Sequence, residues 1–370
     1  MGIMQNQPRA SVVLIAYNAE RTIERAIQSA CGQSEKSIEI ICVDDGSMDS
    51  TRAIMQTCAA RDWRIRVLTQ PNSGTLAART VGIRQAAGQY ILFLDSDDML
   101  RPEAVRTACD AADQLSADVL EFGIELVEDS DNPPTAETMR WMKAYFLQEY
   151  PLQEEVQGPA LVNACFADRA FPWNLWIKVY RTELLQKAVQ HYHNEWLCVA
   201  EDMLITLMAL CLSKHYVRIQ TKLYQYFVGG GMTTANGKNT DVSSMKMWGT
   251  EWLALTLARE WLEKIDYPQD LITSGMDGFA REIKEATISY LIDRCAPECR
   301  VGYLGWLAQC CAHEEFIDVV CESFSRQDYY KESYDIISSS ACWRTTAQIR
   351  FVLDKLKEML RRLKEKNKET

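Results

Sequence analysis

Asp95-Ser96-Asp97, followed directly by Asp98, crowds carboxylates into one short stretch. Their oxygens are the hard donors that Mg²⁺ or Mn²⁺ takes, and such ions commonly bridge a protein carboxylate to phosphate oxygens. A solvated acidic turn is the plainer reading of the same residues. This turn, however, follows the apolar run Tyr90–Leu94, and a bound cation would offset the repulsion among its charges. A second acidic pair, Glu201-Asp202, opens the apolar stretch Met203–Leu212, where the positive end of a helix dipole would favour carboxylates whatever their chemistry. Asp44-Asp45 ends another apolar run, and Gly229-Gly230-Gly231 offers backbone that can approach a phosphate or serve as a hinge.

These groups need elements to hold them. Val12–Ala16, Ile38–Val43, Ile65–Leu68 and Tyr90–Leu94 are short apolar runs separated by amphipathic stretches, the pattern of a parallel sheet flanked by helices. Asn18 is placed to cap a helix whose Ile23, Ala26, Ile27 and Ala30 share one face. Polar clusters follow the first, second and fourth runs, where an open α/β sheet keeps its ligand crevice. An acidic, proline-containing break, Glu128–Pro134, comes next, and the stretch to about Pro172 has the texture of a mobile insertion. From about Asp241 the chain reads as helical.

In order and spacing, the segments Ser11–Asn18, Val43–Thr51, Gly74–Arg79 and Gly88–Asp98 resemble the family 2 glycosyltransferases. The resemblance implies a GT-A type α/β nucleotide-binding domain with a mostly parallel sheet, followed here by a helical C-terminal region. It also implies transfer of a sugar, with inversion, from a UDP-sugar to a hydroxyl of a glycan or lipid-linked acceptor in cell-surface polysaccharide synthesis. The donor would be bound by Ile15, Tyr17, Asp44, Asp45, Arg79, Asp95 and Ser96. Tyr17 would stack on the base, Asp45 would accept the uracil N–H, and Arg79 would face base or diphosphate. Asp97 and Asp95 would hold Mn²⁺ or Mg²⁺, and Asp202, with Glu201 beside it, would be the general base. Trp173, Trp176 and Asp98 would lie on the acceptor side, and Gly229, Gly230 and Gly231 would form a donor loop. Three departures stand out: Ile15 occupies a position where the family usually has proline, Thr80 one where asparagine is usual, and Phe227 one where many relatives have arginine. The processive members' Gln-x-x-Arg-Trp element has no counterpart after the acidic pair, since Arg140-Trp141 precedes it, so one sugar per acceptor is expected. A nucleotidyltransferase would want glycine in the loop after the first strand, and Asn18–Arg21 has none. A binding module with a decayed site is the non-enzymatic rival.

This layout divides the chain into a nucleotide-sugar core (1–127), an acceptor-binding part with the insertion (128–240), and a helical region (241–370). The 370 residues carry a net charge of −11, which argues against a nucleic-acid partner. The 13 cysteines are scattered and odd in number, as expected of reduced core residues, and Cys295, Cys299, Cys310, Cys311 and His313 lack zinc-site spacing. Met1–Pro8 has no leader-like apolar core and Met203–Leu212 is too short to cross a bilayer, so a cytoplasmic location is expected. Ile349–Asn367 reads as a basic amphipathic helix for the inner membrane surface, for a second copy of the chain, or for packing on its own domain.

Overall fold

The computed structural model describes residues 7–146, 158–192, 195–229, 247, 250–291, 295 and 299–325. Within them the four apolar runs become β1 (Ala10–Ala16), β2 (Ile38–Asp44), β3 (Ile65–Thr69) and β4 (Tyr90–Asp95). All seven residues of β1 are buried, as befits a strand covered by helices on both faces. The remaining strands are β5 (Met99–Leu100), β6 (Val119–Glu128), β7 (Lys178–Arg181) and β8 (Tyr216–Val228). All eight form one sheet in the order β3-β2-β1-β4-β7-β6-β8-β5. β1 to β4 run parallel, with Leu14 opposite both Cys42 and Leu94, while β7 enters antiparallel between β4 and β6. The sheet therefore draws on both sides of residue 127.

The helices that matter for the site are α1 (Ile23–Cys31), α2 (Thr51–Ala59), α3 (Thr75–Gln85), α4 (Ala104–Gln114), α5 (Ala136–Phe146), α6 (Pro159–Val162), α7 (Thr182–Ala188) and α8 (Glu201–Leu212). α1 buries Ile23, Ala26, Ile27 and Ala30 as the spacing predicts, but its cap residue is Thr22. Asn18, expected there, instead adopts φ +50 and braces the loop after β2: its N–H donates to Ser47 Oγ at 3.0 Å and its Oδ1 accepts the Met48 N–H at 2.9 Å. α8 is buried nearly all round, which only a helix inside a large core tolerates.

Two compact units emerge, one formed by Met1–Asn236 with Ala254–Ala280, the other by Gly237–Leu253 with Arg281–Thr370. In the first, the Trp261 indole donates to the Ala188 carbonyl, Tyr192 Oη donates to the Leu257 carbonyl, and Phe279 packs on Phe166. In the second, the Trp252 indole donates to Thr287, whose hydroxyl donates to the buried Glu251. The described cysteine side chains are free thiols, and no metal-holding cluster of three His, Cys, Asp or Glu occurs among the described residues. Nor is any described helix long and apolar enough to cross a membrane. Ile349–Asn367, Gly230 and Gly231 lie outside the described residues.

Candidate active site

The acidic turn is held from β8. The Asp95 N–H donates to Tyr224 Oη, and that hydroxyl donates on to Asp98 Oδ2 at 2.9 Å while the Phe227 N–H donates to Asp98 Oδ1 at 2.8 Å. Asp98 is thus 1% exposed and spends both oxygens on the latch. Burial, then the charges of Asp97 and Asp95, pushes its carboxyl well above the usual range against the pull of those two donors. Asp97 is half-buried, and burial together with Asp95 pushes it up to about 6. Two crowded carboxylates at the mouth of a buried strand fit a divalent cation that takes its other ligands from phosphate and water.

Across the site, one arginine joins the two acidic elements. Gly74, at φ +88, begins α3 in close contact with the Leu197 carbonyl: a Cβ would meet that oxygen at 2.9 Å. One turn on, Arg79 is 4% exposed; its Nη2 donates to Asp95 Oδ1 at 2.9 Å and its Nε to Glu201 Oε1 at 3.1 Å. Its Nη1 is buried without a partner. Burial works against the charge, but Asp95 and Glu201 outweigh it and raise the guanidinium pKa. Ala200, left-handed at φ +69, caps α8 and sets Glu201 and Asp202 in its first turn. Glu201 is raised by burial, with Arg79 opposing. Asp202 makes no ion-pair contact with Arg79: its Oδ1 accepts the Met203 N–H at 2.9 Å, and burial followed by the Glu201 charge pushes it up to about 8 against the opposing charge of Arg79.

The pair after β2 is spent on the loops around it. Asp44 accepts the Ser47 N–H and Arg52 Nε, while Asp45 accepts Gln70 Nε2 at 2.7 Å and the N–H groups of Ser73 and Gly74 at 2.9 and 3.0 Å. Burial raises Asp45 even so. Tyr17 is 45% exposed, with a face free to stack. Ile15 lies in register with Val43 and Asp95, and Ser96 is half-buried in the turn.

On the expected acceptor side the tryptophans differ. Trp176 is 5% exposed, its ring packed on Tyr224, Tyr226 and Phe146 with centroids 4.7, 5.1 and 5.4 Å away, whereas Trp173 is half-buried. The turn that carries Trp173 is pinned by the fully buried Lys178, whose ammonium donates to the Pro172 and Asn174 carbonyls at 2.6 and 2.7 Å. Gly229 leaves β8 at φ +118, where a Cβ would collide with the Asn132 carbonyl at 2.0 Å. Sequence reading missed Lys178, which looks like any strand lysine, and Arg25, whose guanidinium reaches the turn from α1. It also missed Trp196, 43% exposed just before α8.

Comparison with known proteins bears on the family and the fold. Residues 11–171 match the glycosyl transferase family 2 profile. EpsJ of Bacillus subtilis strain 168, an uncharacterized glycosyltransferase, is 31% identical over 223 residues, covering 59% of this chain and 61% of EpsJ. The succinoglycan biosynthesis protein ExoO of Rhizobium meliloti strain 1021 is 38% identical over 121 residues, 32% of this chain and 34% of ExoO. The fold is similar to Staphylococcus aureus TarS 1-349 in complex with UDP-GlcNAc: TM-score 0.56 at 22% identity, covering 83% of this chain and 82% of that one. The profile match marks residues 11–171 as a family 2 glycosyltransferase domain and the similar fold is of the GT-A type, while the chain spans less than two thirds of the length of EpsJ.

Proposed function

We propose that the chain is an inverting glycosyltransferase that moves one sugar from a UDP-sugar to a hydroxyl of a glycan or lipid-linked acceptor in cell-surface polysaccharide synthesis. The observation that carries this reading is the Arg79 bridge, which ties the donor-side Asp95 to Glu201 while giving Asp202 next door no hydrogen bond. Asp202 in its ionised form takes the proton of the acceptor hydroxyl. The hydroxyl oxygen attacks the anomeric carbon from the opposite side to the diphosphate, the bond to the diphosphate oxygen breaks, and the configuration inverts. Asp97 and Asp95 would hold Mn²⁺ or Mg²⁺, which supplies positive charge for the leaving diphosphate. Arg79 Nη1 is a donor free for the sugar or phosphate oxygens, and Tyr17 offers its face to the base. The TarS complex with UDP-GlcNAc supports a UDP-sugar, and ExoO supports an exopolysaccharide setting.

The test is single-turnover transfer with a panel of UDP-, GDP- and CDP-sugars, with and without Mn²⁺, on lipid-linked and soluble glycan acceptors. The reading predicts Mn²⁺-stimulated transfer from a UDP-sugar with an inverted anomeric product. A retained configuration would overturn the displacement mechanism, and donor binding with no transfer to any acceptor would favour a binding module.

A further inference from the structure

Arg25 does not belong to the buried face of α1, which is Ile23, Ala26, Ile27 and Ala30. A residue so placed ordinarily extends into water. Its guanidinium instead turns inward and meets three segments that are far apart in sequence. Nη2 donates to the Asp97 carbonyl at 2.5 Å and lies 3.5 Å from Asp129 Oδ2, in the segment that follows β6. The guanidinium carbon sits 3.9 Å from the centroid of the Phe227 ring, near the end of β8. Phe227 in turn gives its N–H to Asp98, so one residue of β8 both backs the cation from α1 and latches the acidic turn.

We propose that Arg25 is the positioning residue of the donor site, fixing the peptide that carries the Asp97 carboxylate and setting a positive charge beside the acidic turn. This rests on the reading of Asp97 and Asp95 as the holders of the divalent ion. A guanidinium suits the task because it is planar and fixed in charge: one edge binds a carbonyl while the flat face stacks on a ring, which an ammonium cannot do. Phe227 holds the plane and Asp129 lies beside the same Nη2 that binds the Asp97 carbonyl, so that N–H donor is aimed before any ligand arrives. Removing the charge frees the Asp97 peptide and leaves the crowded carboxylates with less compensation. The loss should fall on metal-assisted binding of a nucleoside diphosphate far more than on binding of its base and ribose.

The experiment is calorimetric titration of UDP into the full chain, in Mn²⁺ and separately in EDTA, beside thermal denaturation. Arg25→Met is expected to weaken UDP binding in Mn²⁺ by about 10-fold or more, the range seen when residues supporting a metal ligand are removed. Binding in EDTA should change less than about 2-fold. Arg25→Lys should fall between, and Phe227→Leu added to Arg25→Met should cost little beyond the single change, because the two side chains act as one unit. Equal losses in Mn²⁺ and EDTA, or no loss in either, would overturn the proposal and leave Arg25 a packing residue. If UDP binding by the unmodified chain does not respond to Mn²⁺, the metal reading itself fails and this inference falls with it.

Discussion

Asp44-Asp45 and Glu201-Asp202 are both adjacent carboxylates at the ends of buried elements, yet they are used in opposite ways. The first pair is saturated: between them the two side chains take in five donors, from a guanidinium, an amide side chain and three backbone N–H groups. The second is lopsided, with Glu201 neutralised by Arg79 and Asp202 left with one backbone N–H. A carboxylate whose lone pairs are filled shapes a loop, whereas one left short of donors keeps its proton affinity high enough to do acid–base work. Under the proposed function, the first pair would build the nucleotide pocket and the second would run the reaction.

The contrast can be broken first at Asp202. Asp202→Asn should lower single-turnover transfer by about 100-fold or more while UDP affinity holds, with Glu201→Gln milder. Near-native transfer by the asparagine variant would remove Asp202 from the mechanism. Next in size is Arg79→Met, which strands the buried Glu201 and leaves the half-buried Asp95 without its cation; loss of one partner of a buried pair costs about 3–5 kcal/mol, readable as a lowered denaturant midpoint. A midpoint unchanged from that of the parent chain would mean that the bridge contributes nothing to folding. Asp45→Asn should cost less, about 1–3 kcal/mol for the donors left facing an amide, and should weaken UDP binding by loosening the Ser73–Gly74 turn. If UDP binding is lost with no change in stability, Asp45 acts on the base directly.

The pH dependence sharpens the same comparison. Asp202 must be ionised to accept a proton and its carboxyl is raised to about 8, so kcat/KM should climb as pH rises through about 8 and be lost below it. Glu201→Gln removes a charge that raises Asp202 and should move that ascending limb to lower pH; a limb that stays put would show that Glu201 does not act on Asp202. An effect on stability alone is expected at Glu251, a buried carboxyl raised by burial to about 8. Because its folded pKa exceeds the ordinary value of 4.5, its contribution to stability declines as pH rises from there through about 8. Glu251→Gln should therefore gain Tm relative to the parent chain at about pH 9 but not at about pH 5. Equal shifts at both would exclude the linkage.

The elements that were legible are those whose signal is local. Four apolar runs of strand length became β1 to β4 almost residue for residue, and the turns that follow them place Asp45, Asp95 and Asp97 where the reading of an open sheet puts them. What was illegible depends on partners distant in the chain. β7 is four residues inside an aromatic segment, and nothing in Lys178–Arg181 announces a central strand. Arg25 looks like one more surface charge until Asp97 and Phe227 are brought to it, and Asp98 looks like another open carboxylate until Tyr224 reaches it. Glu128–Pro134 read as a break, yet Asp129 and Asn132 bond to β8 through the Val228 carbonyl and Gly229. Asn18 misled for the same reason, since its side chain is taken by the Met48 N–H from a loop about thirty residues on.

The placement of β7 bears on how the protein is made. Translation delivers β1 to β4 early, but the free edge of β4 finds its neighbour only when Lys178–Arg181 emerges, and β6 lacks its parallel partner until Val228 has been added. Through that interval a hydrophobic strand displays unpaired N–H and carbonyl groups, the condition under which chains pair with one another. The acidic turn has no latch in the meantime, because Tyr224 and Phe227 are among the last residues of the sheet to arrive. A nascent chain halted after Glu128 should therefore aggregate and bind no nucleotide, while one released beyond Val228 has every strand of the sheet in hand.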